Sequence, residues 1–315
     1  MVEEVAEQEV ANQDNSVIVK ETHFVTKETL PTRLIDFAQK VFKNIPSKSA
    51  LKKIIKRGEI KIDGEEAGEG VWLQADQKIE WVESDIKVPK IFPLPLPVVY
   101  EDEHLAVINK PPGFPVSGNR FKTIQNALLF NIKPSTKKDA LKIPRPVHRL
   151  DYPTSGLLVI AKTASTLMHL GQQFENKQIK KRYRAIVAGK ILEDGIINTP
   201  INGQQALTHF KLIKHGRSLH TQWMSVVDLF PETGRTHQLR IHLSEMGFPI
   251  LGDDKYGDVS VRLKGKGLFL SAVEISFLHP ETGKPLNVKI EQPDKFTSFY
   301  EREQRRWIKY FQDSK

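Results

Sequence analysis

The sequence predicts an α+β protein, with a mixed, mainly antiparallel sheet flanked by helices and a small α/β module ahead of it. Three observations carry that reading. Helical and strand periods are interleaved along the chain, several strand-like runs follow one another with no helix between them, and prolines at 89, 93, 95 and 97 divide the chain.

The elements justify themselves in order. Residues 1–28 are polar and hold no apolar run near the start, so a disordered tail is expected and a secretory signal is not. Residues 29–83 form the small module. Leu34, Phe37, Ala38, Val41 and Phe42 fall at i, i+3, i+4, i+7 and i+8, an amphipathic helix that Pro46 ends. Ser47 or Ser49 can cap a second helix, with Leu51, Ile54 and Ile55 inward and Gly58 as its stop. Ile60 and Ile62 alternate with charged residues up to Asp63-Gly64, a type I′ hairpin signal, and Ile79 and Trp81 lie on a returning strand. The second helix carries Lys48, Lys52 and Lys56 in a row, with Lys53 and Arg57 beside them, opposite the apolar stripe. Such a row is often only a solvated face, but few acids interrupt it and it runs into a tight hairpin, which favours a nucleic-acid surface.

Residues 84–97 hold four prolines and read as a stiff, extended linker. Residues 98–315 form the larger domain. Leu105 to Ile108, Leu157 to Ala161 and Tyr183 to Val187 are strands. Thr163 caps a helix presenting Leu167, Leu170, Gly171 and Phe174 on one face. From Asp294, the apolar residues Phe296, Phe299, Tyr300, Trp307, Tyr310 and Phe311 read as a packing helix.

Composition bounds the function. The 315 residues include no cysteine, which excludes disulfides, thiol catalysis and cysteine-ligated metal, and is consistent with a reducing cytoplasm. No run approaches the roughly 18 apolar residues that cross a bilayer, so no membrane partner is expected. A net charge of +9 favours a polyanionic partner, because cations that neutralise phosphates release condensed counterions.

Three stretches can carry chemistry. In His148-Arg149-Leu150-Asp151-Tyr152-Pro153-Thr154-Ser155-Gly156, Asp151 sits in a turn before a buried strand, with Thr154 and Ser155 placed to satisfy free backbone groups. An isolated Asp in such a turn more often just bonds its own backbone. In Gly234-Arg235-Thr236-His237-Gln238-Leu239-Arg240-Ile241-His242-Leu243, a dense donor set suits phosphates and base edges. Leu239, Ile241 and Leu243 alternate with polar residues, which predicts Arg240 and His242 on an open side. The i, i+5 spacing of His237 and His242 suits a zinc site poorly. In Lys180-Lys181-Arg182-Tyr183-Arg184, alternation puts Tyr183 on one face and both arginines on the other.

These segments, in this order, closely resemble the RluA-type pseudouridine synthases. The residues that carry the resemblance are His148-Arg149-Leu150-Asp151 followed by Thr154-Ser155-Gly156 and an apolar run, the Asn109-Lys110-Pro111-Pro112-Gly113 turn, the Tyr183 strand and the Gly234 to Gly257 block. The segments around Arg33-Leu34 and Ile54 to Gly64 resemble the S4 RNA-binding domain, although the acidic run from Glu65 to Gly70 departs from it. Ser271, where the family more often has His, and Tyr152-Pro153 are further departures.

The resemblance implies a pseudouridine synthase fold and an RNA isomerase with Asp151 as its essential carboxylate. That carboxylate would attack C1′ or remove the C2′ proton, and either role needs it ionised beside a cation. Arg240 is the expected partner, with Arg235 the alternative. Tyr183 would stack on the target base, Leu157 and Leu270 would wall the pocket, and Arg149 would fill the gap left by a flipped nucleotide. His148, Arg235, His237 and Lys110 join Arg149 as expected RNA contacts, with Lys48, Lys52, Lys53, Lys56 and Arg57 on the small module. No cofactor or metal is implied, and the protein is expected to be a cytoplasmic monomer. Its partner would be structured RNA, ribosomal before transfer RNA. Two rivals remain: a non-catalytic RNA-binding or ribosome assembly protein, and a hydrolase pairing Asp151 with Asp253 or Asp254.

Overall fold

The computed structural model describes residues 19–45, 47–82 and 90–312, and the chain divides into two compact units, residues 1–88 and 89–315. In the first unit β1 (Val19–Phe24), α1 (Leu34–Val41), α2 (Lys48–Lys56), β2 (Ile60–Ile62), β3 (Glu65–Glu66) and β4 (Lys78–Val82) follow in order. The strands form one antiparallel sheet, β1-β4-β2-β3. The predicted apolar stripes are buried: Leu34, Phe37 and Ala38 on α1, and Leu51, Ile54 and Ile55 on α2. Ser47 caps α2, its Oγ accepting the Ala50 N–H at 3.1 Å. Asp63 and Gly64 both take positive φ (50° and 89°), which turns β2 into β3. Pro46, expected to break the first helix, lies outside the described residues.

The expected polar tail is corrected in part. Residues 1–18 are outside the described set, but Val19–Phe24 pairs with β4, His23 lying opposite Ile79. The segment sits on the sheet edge with alternate residues exposed, and its Phe24 points outward at 62% exposure, so it lacks the apolar alternation that announces a strand. All five cations of the helix row are exposed. Acids from elsewhere meet three of them: Asp36 pairs with Lys48 at 3.0 Å, Glu69 with Lys52 at 3.1 Å, and Glu59 with Arg57. The two lysine pairs are exposed and hold their charge loosely, whereas Arg57 is bound through two hydrogen bonds to the buried Glu59; the lysines keep the row cationic.

The second unit holds β5 (Val98–Glu101), β6 (Leu105–Lys110), α3 (Ile124–Asn131), β7 (Ala140–Pro146), β8 (Ser155–Thr163) and α4 (Ala164–Glu175). Then come β9 (Lys180–Ala188), β10 (Gly195–Ile197), β11 (Thr208–Ser218), β12 (Gln222–Pro231), α5 (Gln238–Glu245), β13 (Leu270–Leu278), β14 (Pro285–Lys289) and α6 (Asp294–Gln312). The strands make one mixed sheet in the order β10-β11-β12-β9-β13-β8-β6-β5, with β14 added on β13 and β7 on β8. Every pairing is antiparallel except β8 with β13.

Of the expected linker, residues 84–89 lie outside the described residues, and residues 90–97 are not a free linker: the Leu94 N–H turns back to Phe92 O at 2.8 Å. The Phe92 N–H donates to Asn126 O at 2.9 Å, the Leu96 N–H donates to Asn131 Oδ1 at 2.8 Å, and Leu96 is buried with Ala127 and Leu128 of α3. Apolar residues between the prolines gave them a core to join. Helix α6 buries Phe296 and Phe299 as expected, yet Tyr310 and Phe311 are 58% and 46% exposed, so only its first turns are packed.

The pairing registers line up one face of this sheet. Lys110 lies opposite Gly156, Gly156 opposite Ala272, and Ala272 opposite Tyr183. The row crosses the parallel junction, where the turn bearing Asp151 feeds into β8.

Candidate active site

The Asp151 turn is closed by the Thr154 N–H donating to Asp151 O at 3.1 Å. The Thr154 hydroxyl, expected to satisfy backbone groups, is instead buried with no protein partner. The next residue anchors the turn sideways: Tyr152 O accepts from the Gly113 N–H at 2.8 Å and from Lys110 Nζ at 3.4 Å. The carboxyl group of Asp151 is 17% exposed, lying 3.8 Å from Arg240 Nη1 through Oδ2 and 3.8 Å from His237 Nε2 through Oδ1.

Arg240 is held much more tightly by a different acid. Its Nε and Nη2 donate to Asp253 Oδ2 and Oδ1, both at 2.7 Å, a bidentate pair. Asp253 is 1% exposed and also accepts the Lys255 and Tyr256 N–H groups at 3.0 Å. Burial pushes the Asp253 carboxyl up, but the Arg240 guanidinium and those N–H groups outweigh it and hold it below the ordinary carboxylate range. Burial likewise disfavours the Arg240 cation, and Asp253 followed by Asp151 more than restores it. The guanidinium is thus fixed by Asp253 and offers its remaining edge to Asp151. Asp253 cannot serve as the second acid of a hydrolase while it is committed in this way, and Asp254 is exposed.

The alternation read into residues 239–243 was wrong in kind. Residues 238–245 are a helix, and Gln238, Leu239, Arg240, His242 and Leu243 are all buried. A polar residue can be buried when a partner offsets the cost, and the pattern of polarity alone hid the 3.6-residue period. His242 is structural, its Nδ1 meeting Thr208 Oγ1 and its Nε2 meeting Thr199 O, both at 3.0 Å. Arg235 donates from Nε to Gln205 O at 2.9 Å, and it is Arg240 that lies 3.8 Å from Asp151.

His237 stands at the start of α5 with left-handed backbone angles (φ 58°, ψ 21°), a conformation that costs energy for a residue with a Cβ. Its Nδ1 meets Tyr256 Oη at 2.8 Å while Nε2 faces Asp151. Burial and the cations Arg240, Lys255 and Arg149 lower its pKa against the pull of Asp151. Arg149 is exposed, and its charge still reaches His237.

Tyr183 is partly buried against both main cores of this unit. Burial and then the negative charge of Asp151 raise its pKa, which keeps the phenol protonated. On the opposite face of β9, Arg182 and Arg184 bind Asp228, as the strand alternation predicts. Leu270 is buried, two residues from Ala272 on the Tyr183 side of β13.

Three expected site residues are reassigned. Leu157 is not a wall of this pocket: it packs on the other face with Leu105, Val159 and Leu170, because each step along a strand changes face and the site face belongs to Gly156 and Leu158. The His148 ring is turned into the fold. Its Nε2 accepts the Val159 N–H at 3.1 Å and its ring lies 4.9 Å from that of Phe174, while burial, and then Lys181, lower its pKa to about 3. Lys110 is not at the surface either. It is 0% exposed, with Nζ donating to Pro111 O at 2.9 Å and to Tyr152 O, and burial lowers its pKa to about 8 against the charge of Asp151. Sequence reasoning named Asp253 only as a rival second acid, missing its role as the partner of Arg240, and it missed Tyr256. The usable signal was an arginine on a largely buried helix, which demands a carboxylate, together with the acids of Gly252-Asp253-Asp254-Lys255-Tyr256 nearby.

Comparison with known proteins identifies the family. A family model described as RNA pseudouridylate synthase matches residues 104–245, a span that contains Asp151, Tyr183 and Arg240. The chain is 33% identical over 288 residues to an uncharacterized RNA pseudouridine synthase of Aquifex aeolicus, covering 81% of this chain and 88% of the relative. It is also 33% identical over 315 residues to the ribosomal large subunit pseudouridine synthase D of Vibrio cholerae, covering 87% and 91%. Among solved structures, human RNA pseudouridylate synthase domain containing 1 superposes with a TM-score of 0.53 at 26% identity, covering 67% of this chain and 87% of that one. The chain belongs to the RluA-type family of RNA pseudouridine synthases, isomerases that convert uridine to pseudouridine within RNA.

Proposed function

We propose that the protein isomerises one or a few uridines of large-subunit ribosomal RNA, with Asp151 as the catalytic carboxylate. The observation that carries the reading is the placement of that carboxyl group, 3.8 Å from a guanidinium locked by Asp253 and on the sheet face that bears Tyr183. The ribosomal substrate is supported by the relatives, whose names state that role for them.

The reaction breaks the N1–C1′ bond, turns the uracil, joins C5 to C1′, and moves one proton from C5 to N1. Asp151 attacks C1′ or removes the C2′ proton in the first stage. Arg240, immobilised by Asp253, holds the carboxyl group in position and balances its charge. Tyr183, kept as a neutral phenol, stacks on the base and supports the late transfer from C5. Arg149, exposed at the turn, takes the space vacated by the flipped nucleotide. The first unit, with its cationic α2, acts as an S4-like RNA-binding module.

Mapping pseudouridines in total RNA from cells with the protein, without it, and with Asp151→Ala tests this reading. Loss of the same few ribosomal sites in both deficient cases is expected. Retention of every site with Asp151→Ala sinks the catalytic assignment, and loss from transfer RNA alone moves the substrate.

A further inference from the structure

A second feature of the larger unit is not used by the site described above. The loop at 262–266 and helix α6 line a cleft of about 320 Å³ whose walls carry Arg262, Lys264, Lys266, Arg302 and Arg306. One acid, Glu303, lines it with them. That acid is already engaged, accepting from Arg306 Nη1 at 3.0 Å and from Ser218 Oγ at 3.0 Å, with Arg302 Nη2 3.6 Å away. No acid occurs between residues 259 and 270 of the sequence, and Arg262, Lys264 and Lys266 are all exposed. Among the described residues none of these three has an ion-pair partner. Arg302 in addition has its Nε buried without a hydrogen-bond partner. Leu263 and Phe299 supply an apolar floor.

Five cations around one neutralised acid repel one another, and folding gains nothing from gathering them. The arrangement is tolerated because these cations are exposed and screened by water and counterions, which an arriving polyanion replaces. The cleft is also tied to the catalytic loop. The Gly252 N–H donates to Val261 O at 2.7 Å, and Gly252 lies so close to the end of the basic loop that a Cβ there would stand 2.0 Å from Gly267 O. Gly252 directly precedes Asp253, which fixes Arg240. The loop that orients the catalytic arginine and the loop that carries the free cations are therefore one packed unit.

We propose that this cleft binds the phosphate backbone of the RNA strand flanking the target uridine, holding it while the nucleotide is presented to Asp151. The inference rests on the reading that the protein modifies uridine in RNA. Phosphodiester oxygens meet the charges, and the apolar floor accepts sugars or bases without demanding a sequence.

The test is equilibrium binding of a fluorescent single-stranded RNA of about 20 nucleotides to the full chain, followed by anisotropy from about 50 to 200 mM salt. The cleft variant is Arg262→Gln with Lys264→Gln and Lys266→Gln. The control variant is Lys133→Gln with Lys137→Gln and Lys138→Gln, exposed lysines outside the cleft, so both variants lose equal charge. Three lost phosphate contacts at roughly 0.7 each make the slope of log K against log salt shallower by about 2 and weaken binding about tenfold or more at the low-salt end. The control is expected to keep the wild-type slope. Equal slopes for wild type and cleft variant overturn the proposal, as do equal losses in the two variants, which would mean that net charge alone governs binding. Pseudouridine mapping judges the underlying function separately: a wild type that modifies RNA while all three slopes agree loses the cleft and keeps the enzyme.

Discussion

Lys110 holds an ammonium group where no water reaches it, and two backbone carbonyls and the charge of Asp151 are its compensation. Its pKa falls from 10.5 to about 8 because burial penalises the cation more than Asp151 favours it. Between those two values the unfolded chain binds a proton that the folded chain does not, so this group adds stability as pH rises through 8 and subtracts it as pH falls back. The swing is on the order of 3 kcal/mol. Lys110→Met should remove it: urea unfolding of wild type minus variant is expected to rise in favour of wild type from pH 8 to 10, and a flat difference would refute the assignment. The same variant loses the cation that ties the Tyr152 carbonyl, and pseudouridine formation at neutral pH should fall about tenfold or more. Asp253 illustrates the complementary case. Asp253→Asn leaves a buried guanidinium without its counter-charge, which should destabilise the larger unit by roughly 3–5 kcal/mol in chemical denaturation. Activity should drop with it, because Arg240 is then free to turn toward Asp151 or away. A variant as stable and active as wild type would show that Arg240 does not depend on this partner.

At the scale of elements, the parallel junction of β8 and β13 decides the geometry. Gly156 has φ +110°, and a Cβ there would stand 2.2 Å from Ala272 O, within the backbone of the neighbouring strand. Gly156→Ala must part these strands or strain the turn that carries Asp151, and either response should cost at least about 3 kcal/mol and most of the activity. A thermal melt within a few degrees of wild type would contradict that. Much of this layout was legible. The run from Leu157 to Ala161 was long and apolar enough to mark a central strand, and Thr163, Gly58 and Asp63-Gly64 placed their caps and turns by local chemistry. What stayed hidden depended on pairing. Which face of β8 meets the site is fixed by its register with β13, so Leu157 was placed one residue off. Residues 238–245 mix buried polar and apolar side chains, and only the acid 13 residues away explains how Arg240 can be inside. Strand β1 bonds to a partner about 60 residues downstream and has too little apolar surface to advertise it.

The whole molecule divides its labour between two separately packed units. Val25, Phe37, Phe42, Leu51 and Ile79 close the first unit, and the larger sheet has its own clusters around Leu158, Val187 and Phe269. Each unit therefore buries apolar surface without help, and the chain from residue 90 carries its own N-terminal anchor in Phe92 and Leu96. A fragment of residues 89–315 should fold cooperatively and keep Asp151, Arg240, Asp253 and Tyr183 in place. Removing the first unit removes the exposed Lys48, Lys52, Lys53, Lys56 and Arg57, and with them a large share of the sequence-independent attraction for RNA. The fragment should then modify a short stem-loop bearing the target uridine at a rate close to that of the full chain when the enzyme is saturating. On intact ribosomal RNA its apparent affinity should fall by tenfold or more at about 150 mM salt, with a shallower salt dependence. Equal affinity for the long RNA would remove α2 from the substrate surface. Loss of activity on the short substrate, with the fragment still folded, would mean instead that the first unit takes part in forming the active site.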